Sequence, residues 1–261
     1  MGETQQQGRE QALAAALARD DWYHTLEHAP GRVTRGLVDL RRSAPRVLPA
    51  NLDGVRALDV GTFDGFWAFE MERRGAEVVA ADLDSFLDTD WPPPTHAKLA
   101  AEYRDRTPGE RFRIAHAALG SGVKRIGSSI YDLEPDRVGD PVDLAFVGAL
   151  LLHLRDPVRG LEAVRSVLAP GGRVLLAEPI DPLLSILRRR RPSADFRAGR
   201  TAFDWWVANV ACLREWLRLA GFGEARRVAT FRVRGTERVG QWQVALEAPA
   251  RPRPGAQPRS T

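Results

Sequence analysis

The sequence predicts an α/β fold: a seven-stranded, mostly parallel sheet with helices on both faces and a terminal antiparallel hairpin. Three observations carry that reading. Residues 57–82, ALDVGTFDGFWAFEMERRG followed by AEVVAAD, read as strand, glycine turn, helix, glycine stop and second strand. That order builds a parallel sheet with a crevice at the carboxyl ends of its strands. Strand-like and helix-like segments go on alternating to residue 219. Two strand-like runs, 226–234 and 239–248, then meet around 235–237 with no helix between them, as a hairpin requires.

Taken in order, residues 1–52 form an N-terminal helical or lid segment. Its Gln-, Ala- and Leu-rich stretch 5–18 is a helix, and Trp22-Tyr-His24 with Ala29-Pro-Gly31 lead into the core. Those aromatic residues either pin the segment by burial or cover the crevice. The sheet domain spans 53–249. Its first strand is 55–60; the helix at 64–74 sets Phe66 with Phe69 and Trp67 with Met71 on one stripe. Gly75 suits a left-handed helix end, and 78–81 is a strand apolar on both faces. Trp91-Pro-Pro-Pro94 must be irregular, and helices follow at 95–104 and 110–119. The third strand is 123–130 and the fourth 142–147, broken at Gly148. A helix at 157–168 starts on a proline and stops at Ala169-Pro-Gly-Gly172, before the fifth strand, 173–178. A cap insertion at about 179–209 holds Arg188 to Arg191 and Trp205-Trp206. A helix at 211–219 precedes the hairpin, and 250–261 is a basic tail expected to be disordered.

Composition excludes several classes. The chain has 261 residues, 44% hydrophobic and 28% charged, enough for one large core. No apolar run reaches the roughly 18 residues of a membrane span, so no membrane partner is expected. The N-terminus lacks a secretory pattern. The single cysteine, Cys212, allows no internal disulfide or cysteine metal cluster, which points to the cytoplasm. The net charge of +4 owes three arginines to the last eleven residues, which weakens any nucleic-acid reading.

The glycine turn sets the chemistry. Gly61 and Gly65 are present, but Phe63 and Phe66 stand where a dinucleotide fingerprint needs glycine. A pyrophosphate lacks its cradle, which argues against a nicotinamide-dependent oxidoreductase. A ligand with a ribose and a charged amino-acid end fits better. Gly61 permits close approach, Asp82 can accept bonds from ribose hydroxyls, and Asp59 and Asp64 favour an ammonium or sulfonium.

Leu58-Asp-Val-Gly-Thr-Phe-Asp-Gly65 with Asp82 resembles motif I and its acidic partner in class I S-adenosylmethionine-dependent methyltransferases, which have a Rossmann-like fold. Ala169-Pro-Gly-Gly172, Ala220-Gly-Phe222 and the terminal hairpin are similar to the same family. Trp22-Tyr-His24 and the phrase from Trp67 to Gly75 resemble, more narrowly, the tRNA wobble-uridine carboxymethyl- and methyltransferase-like subgroup. The resemblance implies S-adenosylmethionine as cofactor, in preference to carboxy-S-adenosylmethionine, whose basic ligands are not located. It implies that Gly61, Thr62 and Gly65 contact the methionine end, Asp82 the ribose, and Leu83, Ile130 and Tyr131 the adenine. Gly148 would border the sulfonium. The plainer reading is that these are turn and core residues of any α/β domain. The implied acceptor is a small, ring-bearing molecule; tRNA is the alternative, and a non-catalytic nucleotide- or RNA-binding module a further one.

A base is needed only where the acceptor is protonated at neutral pH. His153, just past the fourth strand, and His24 are the candidates, each of which could instead be structural. The spacing of His24 and His28 could suit a metal on one helix face, but no carboxylate pattern supports it, and no metal is expected. Trp22, Tyr23, Trp205, Trp206 and Asn209 are candidate acceptor contacts, with core packing the alternative. Arg188 to Arg191, with Arg197 and Arg200, could hold a phosphate, a carboxylate or an RNA backbone, or simply be solvated. The oligomeric state is left open.

Overall fold

The computed structural model describes residues 3–103, 106–201, 203–235 and 240–252. Its centre is a seven-stranded sheet of β1 (Arg56–Val60), β2 (Glu77–Asp82), β3 (Lys124–Gly127), β4 (Val142–Gly148), β5 (Leu168–Pro179), β6 (Arg226–Arg232) and β7 (Trp242–Pro249). The order is β3-β2-β1-β4-β5-β7-β6. β1 to β5 are parallel, and β7 runs antiparallel to β5 and β6. The principal helices are α1 (Glu3–Ala18), α2 (Phe66–Glu72), α3 (Pro93–Tyr103), α4 (Glu110–Leu119), α5 (Pro157–Ser166), α6 (Pro182–Leu187) and α7 (Val210–Leu219).

The sheet is covered on both faces, which is why its parallel strands read as unbroken apolar runs. In β4, Leu144 and Phe146 join the core under α2 and α4, while Ala145 and Val147 join the core under α5 and α7. On the first face Trp67 lies against Phe146 with ring centroids 4.4 Å apart. On the second, α5 begins with the Asp156 carboxylate accepting the Arg159 amide at 3.0 Å and with Pro157 in its first turn. Both devices satisfy or remove amides that a helix start leaves unpaired.

Several boundaries differ from the sequence reading for identifiable reasons. The third strand stops at Gly127, and Ile130–Asp132 form a 3₁₀ turn capped by Ser129. Residues 169–172 do not separate helix from strand as a free loop. Leu168 pairs with Val142 and Arg173 with Leu144, so these four residues bulge outward within β5 opposite Asp143. The segment holding His24 and His28 is extended, not helical: Leu26–Ala29 pairs with Arg32–Thr34 in a small ribbon. Another short pairing joins Val38–Asp39 to Arg234–Gly235, tying the N-terminal segment to the hairpin. The hairpin tip at 236–239 and the expected disordered tail from residue 253 onward lie outside the described residues.

Candidate active site

A cavity of about 650 Å³ opens at the carboxyl ends of the parallel strands. Gly61 after β1, Asp82 ending β2, Gly148 ending β4 and Ala177 of β5 form its floor. Leu83, Ile130, Tyr131, Tyr23, His24 and His153, all singled out from the sequence, also line it.

The floor is shaped by backbone. Gly61 has φ +73°, and a Cβ there would sit 3.1 Å from the Leu150 side chain. Gly65, with φ +93°, precedes α2, and a Cβ would collide with the Phe69 ring. Phe63 also takes a left-handed φ of +54°, unusual for a bulky residue. It is held there by Asp82, whose Oδ2 accepts the Phe63 amide at 2.6 Å while Oδ1 accepts the Leu83 amide at 2.8 Å. Burial pushes the Asp82 carboxyl up, and those two amides pull it back. Each carboxylate oxygen still has acceptor capacity, because a carboxylate offers about four lone-pair positions. Deeper in the floor, burial drives Asp59 up to about 7. Its Oδ2 and the Thr62 Oγ1 are both buried, and the neighbouring Thr62 hydroxyl pulls the carboxyl back down.

Asp64 is wholly buried and bonded to His24 twice. Oδ1 lies 2.5 Å from His24 Nδ1, and Oδ2 accepts the His24 amide at 2.7 Å. With Nδ1 donating to the carboxylate, Nε2 becomes the acceptor nitrogen of the neutral ring. His153 directs Nδ1 at the Phe203 carbonyl, 3.0 Å away, with Asp204 Oδ1 at 3.4 Å. Glu178, at the end of β5, accepts the Leu150 and Leu151 amides and so supports the turn carrying His153; burial raises its carboxyl to about 8.

The facing wall is built from rings. Tyr23 and Phe63 meet edge to face at 5.2 Å, with the Arg111 guanidinium 5.0 Å over Phe63. Trp91 sits between Tyr103 and Phe203, at 5.9 and 5.2 Å. Asp90 fastens this wall to the rest: Oδ2 accepts both the Tyr131 hydroxyl and the Arg155 amide at 2.7 Å, and its carbonyl accepts Trp205 Nε1. The Tyr131 hydroxyl in turn accepts the Asp156 amide at 3.1 Å.

Other sequence candidates are not brought to the cavity. Trp22 is buried under α1, its Nε1 bonded to the Ala16 carbonyl at 3.1 Å. Trp205 and Trp206 brace the insertion, the latter through a bond from Nε1 to the Leu154 carbonyl. Asn209 caps α7 by accepting the Cys212 amide at 2.8 Å, while its Nδ2 donates to the Arg188 and Arg191 carbonyls. An Asn one residue before an apolar helix carried that signal in the sequence. The sequence reading missed Trp91, Tyr103 and Phe203, together with Gln241 and Gln243 of the terminal hairpin, which also line the cavity.

A family described as a methyltransferase domain matches residues 32–223, most of the chain and all of the cavity floor. The chain belongs to that family. Among curated relatives, the methyltransferase domain is 28% identical to the tRNA U34 carboxymethyltransferase of Pseudomonas aeruginosa over 187 residues, 70% of this chain and 50% of that protein. It is 30% identical to the ubiquinone biosynthesis O-methyltransferase of Xanthomonas axonopodis over 140 residues, 54% of this chain and 48% of that one. The chain thus spans about half the length of the curated relatives it matches. Among solved structures, the 1,6-didemethyltoxoflavin-N1-methyltransferase of Burkholderia thailandensis, with bound 1,6-didemethyltoxoflavin and S-adenosylhomocysteine, aligns with a TM-score of 0.50. The identity is 19%, covering 81% of this chain and 77% of that one, and establishes the shared Rossmann-like fold.

Proposed function

We propose that the cavity binds S-adenosylmethionine and that the protein transfers a methyl group to a small, ring-bearing acceptor. The observation that carries this is the Asp82 carboxylate. It is pinned by the Phe63 and Leu83 amides at the mouth of β2, with acceptor capacity left beside a bare Gly61 backbone. Such a floor suits a ribose and a cationic amino-acid end, and the methyltransferase domain family supports the assignment. Asp82 would take the ribose hydroxyls, and Gly61, Thr62 and Gly65 with Asp59 would shape the methionine end. Leu83, Ile130 and Tyr131 would border the adenine, and Gly148 the reacting end.

S-adenosylmethionine supplies an already activated methyl group, so this chain's task is to orient the acceptor, exclude water and remove a proton where the acceptor carries one. For that proton His24 Nε2 is better placed chemically than His153. A wholly buried carboxylate 2.5 Å from Nδ1 fixes the His24 ring, whereas His153 Nδ1 meets the Phe203 carbonyl and, at 3.4 Å, the half-buried Asp204 carboxylate. Asp64 then acts through His24 and does not touch the cofactor.

The test is calorimetry with S-adenosylmethionine and S-adenosylhomocysteine, alongside the mass of any copurifying molecule. No binding of either, with Asp82→Ala indistinguishable from the parent, would end this reading. A second reading, carboxymethyl or methyl transfer to tRNA, is favoured by the name of the Pseudomonas relative and by Arg19, Arg106 and Arg111 in the cavity wall. Labelled cofactor offered to total tRNA and to a small-metabolite extract separates the two by which fraction takes the label.

A further inference from the structure

The insertion that closes one side of the cavity carries a second feature that methyl transfer does not use. In α6, Leu183, Ile186 and Leu187 are 63, 74 and 72% exposed, on one face at i, i+3 and i+4 spacing. Arg188, Arg189, Arg190 and Arg191 follow directly, all exposed and without an ion pair among the described residues. No acidic residue lies between Pro182 and Ala194. The turn is not loose. Asn209 holds the Arg188 and Arg191 carbonyls at 3.1 and 3.0 Å, so the arginines are displayed from a fixed base.

We propose that this patch docks the protein on an anionic membrane surface, with the three aliphatic side chains entering the headgroup layer and the arginines meeting lipid phosphates. Exposed aliphatic side chains beside a block of unpaired arginines match the two components of interfacial binding, apolar insertion and attraction to anionic lipid. A second copy of the chain fits worse, since a two-fold contact would set arginine blocks close to one another. An RNA backbone would engage the arginines but give the leucines nothing to do. No helix of the described residues is long and apolar enough to cross a membrane, so the association is peripheral. It revises the sequence expectation of no membrane partner, and it holds whatever the methyl acceptor is.

The full chain is to be sedimented with vesicles of phosphatidylcholine alone and of phosphatidylcholine with about one-third phosphatidylglycerol, at low and physiological salt. Binding is expected to the anionic vesicles at about tenfold or more over the neutral ones, weakening with salt. L183Q/I186Q/L187Q and R188S/R189S/R190S/R191S should each lower it about tenfold or more, with unchanged thermal midpoints and unchanged S-adenosylhomocysteine affinity. Equal binding to both vesicles, or to neither, overturns the proposal. So does a glutamine variant that binds anionic vesicles like the parent, which would leave a bare polycation suited to nucleic acid. A concentration-dependent dimer abolished by the glutamine variant would assign the patch to a second copy instead.

Discussion

The cavity has two walls made by different means. The strand-side wall is backbone: left-handed Gly61, with left-handed Gly65 behind it, the left-handed main chain of Phe63, and an aspartate anchored by two main-chain amides. The facing wall is side chain: rings from the N-terminal segment, the stretch after β2, α3 and the insertion, with Asp90 tying the stretch after β2 to Tyr131, Arg155 and Trp205. A backbone-built wall depends on local conformations that few residues can adopt, so it tolerates little substitution. A wall of packed rings accepts many combinations of similar volume.

Substitutions sharpen the contrast. The largest effect is expected from Gly65→Val, which adds a β-branched side chain at φ +93° against Phe69. Left-handed strain and overpacking together should cost about 2–5 kcal/mol, read as a lowered urea midpoint with an unchanged slope. A near-normal midpoint would show that the strand-side wall is not backbone-limited. Next comes Asp82→Asn, expected to weaken S-adenosylhomocysteine by about 10–100-fold in calorimetry, corresponding to about 1.5–3 kcal/mol for hydrogen bonds to a charged group. Asn209→Ala, on the other side, should lower stability by about 1–2 kcal/mol through its lost cap, with cofactor affinity unchanged. A large loss of affinity there would mean that the insertion reaches the cofactor.

A last effect is spread over pH and is read as a slope rather than as one difference. Glu178 keeps its proton up to about 8 in the fold, while the unfolded chain releases it near 4.5. The fold therefore binds the extra proton across that window and loses stability as the pH rises through it. Thermal midpoints should fall between about pH 5 and 8, and Glu178→Gln should flatten the decline. A parent profile that rises over this range would contradict the burial argument.

The same contrast governs what could be read in the sequence. Gly61, Gly65, Asp82 and the span of α4 were legible because each follows from a local rule about turns, strand ends or helical periodicity. The hairpin was legible from its two runs, and β7 with β6 forms it. Trp91, Tyr103 and Phe203 were not, since nothing local says that residues so far apart converge on one cavity. The clamp between His24 and Asp64 spans forty positions and was invisible for the same reason; both residues had been singled out, but separately. Asn209 failed differently. Its capping signal was local and readable, but its place beside Trp205 and Trp206 suggested a binding surface.

Asp90 has a kinetic consequence. One residue ties the stretch after β2 to the 3₁₀ turn at Tyr131, to the amide preceding α5 and to the insertion. Movement of the Asp90 side chain would release the Tyr131 hydroxyl and the Arg155 amide together. How often these contacts open together is readable without any substrate. The Arg155 amide on Asp90 and the Asp156 amide on Tyr131 should trade hydrogen for deuterium at matching rates, and Asp90→Ala should speed both in concert.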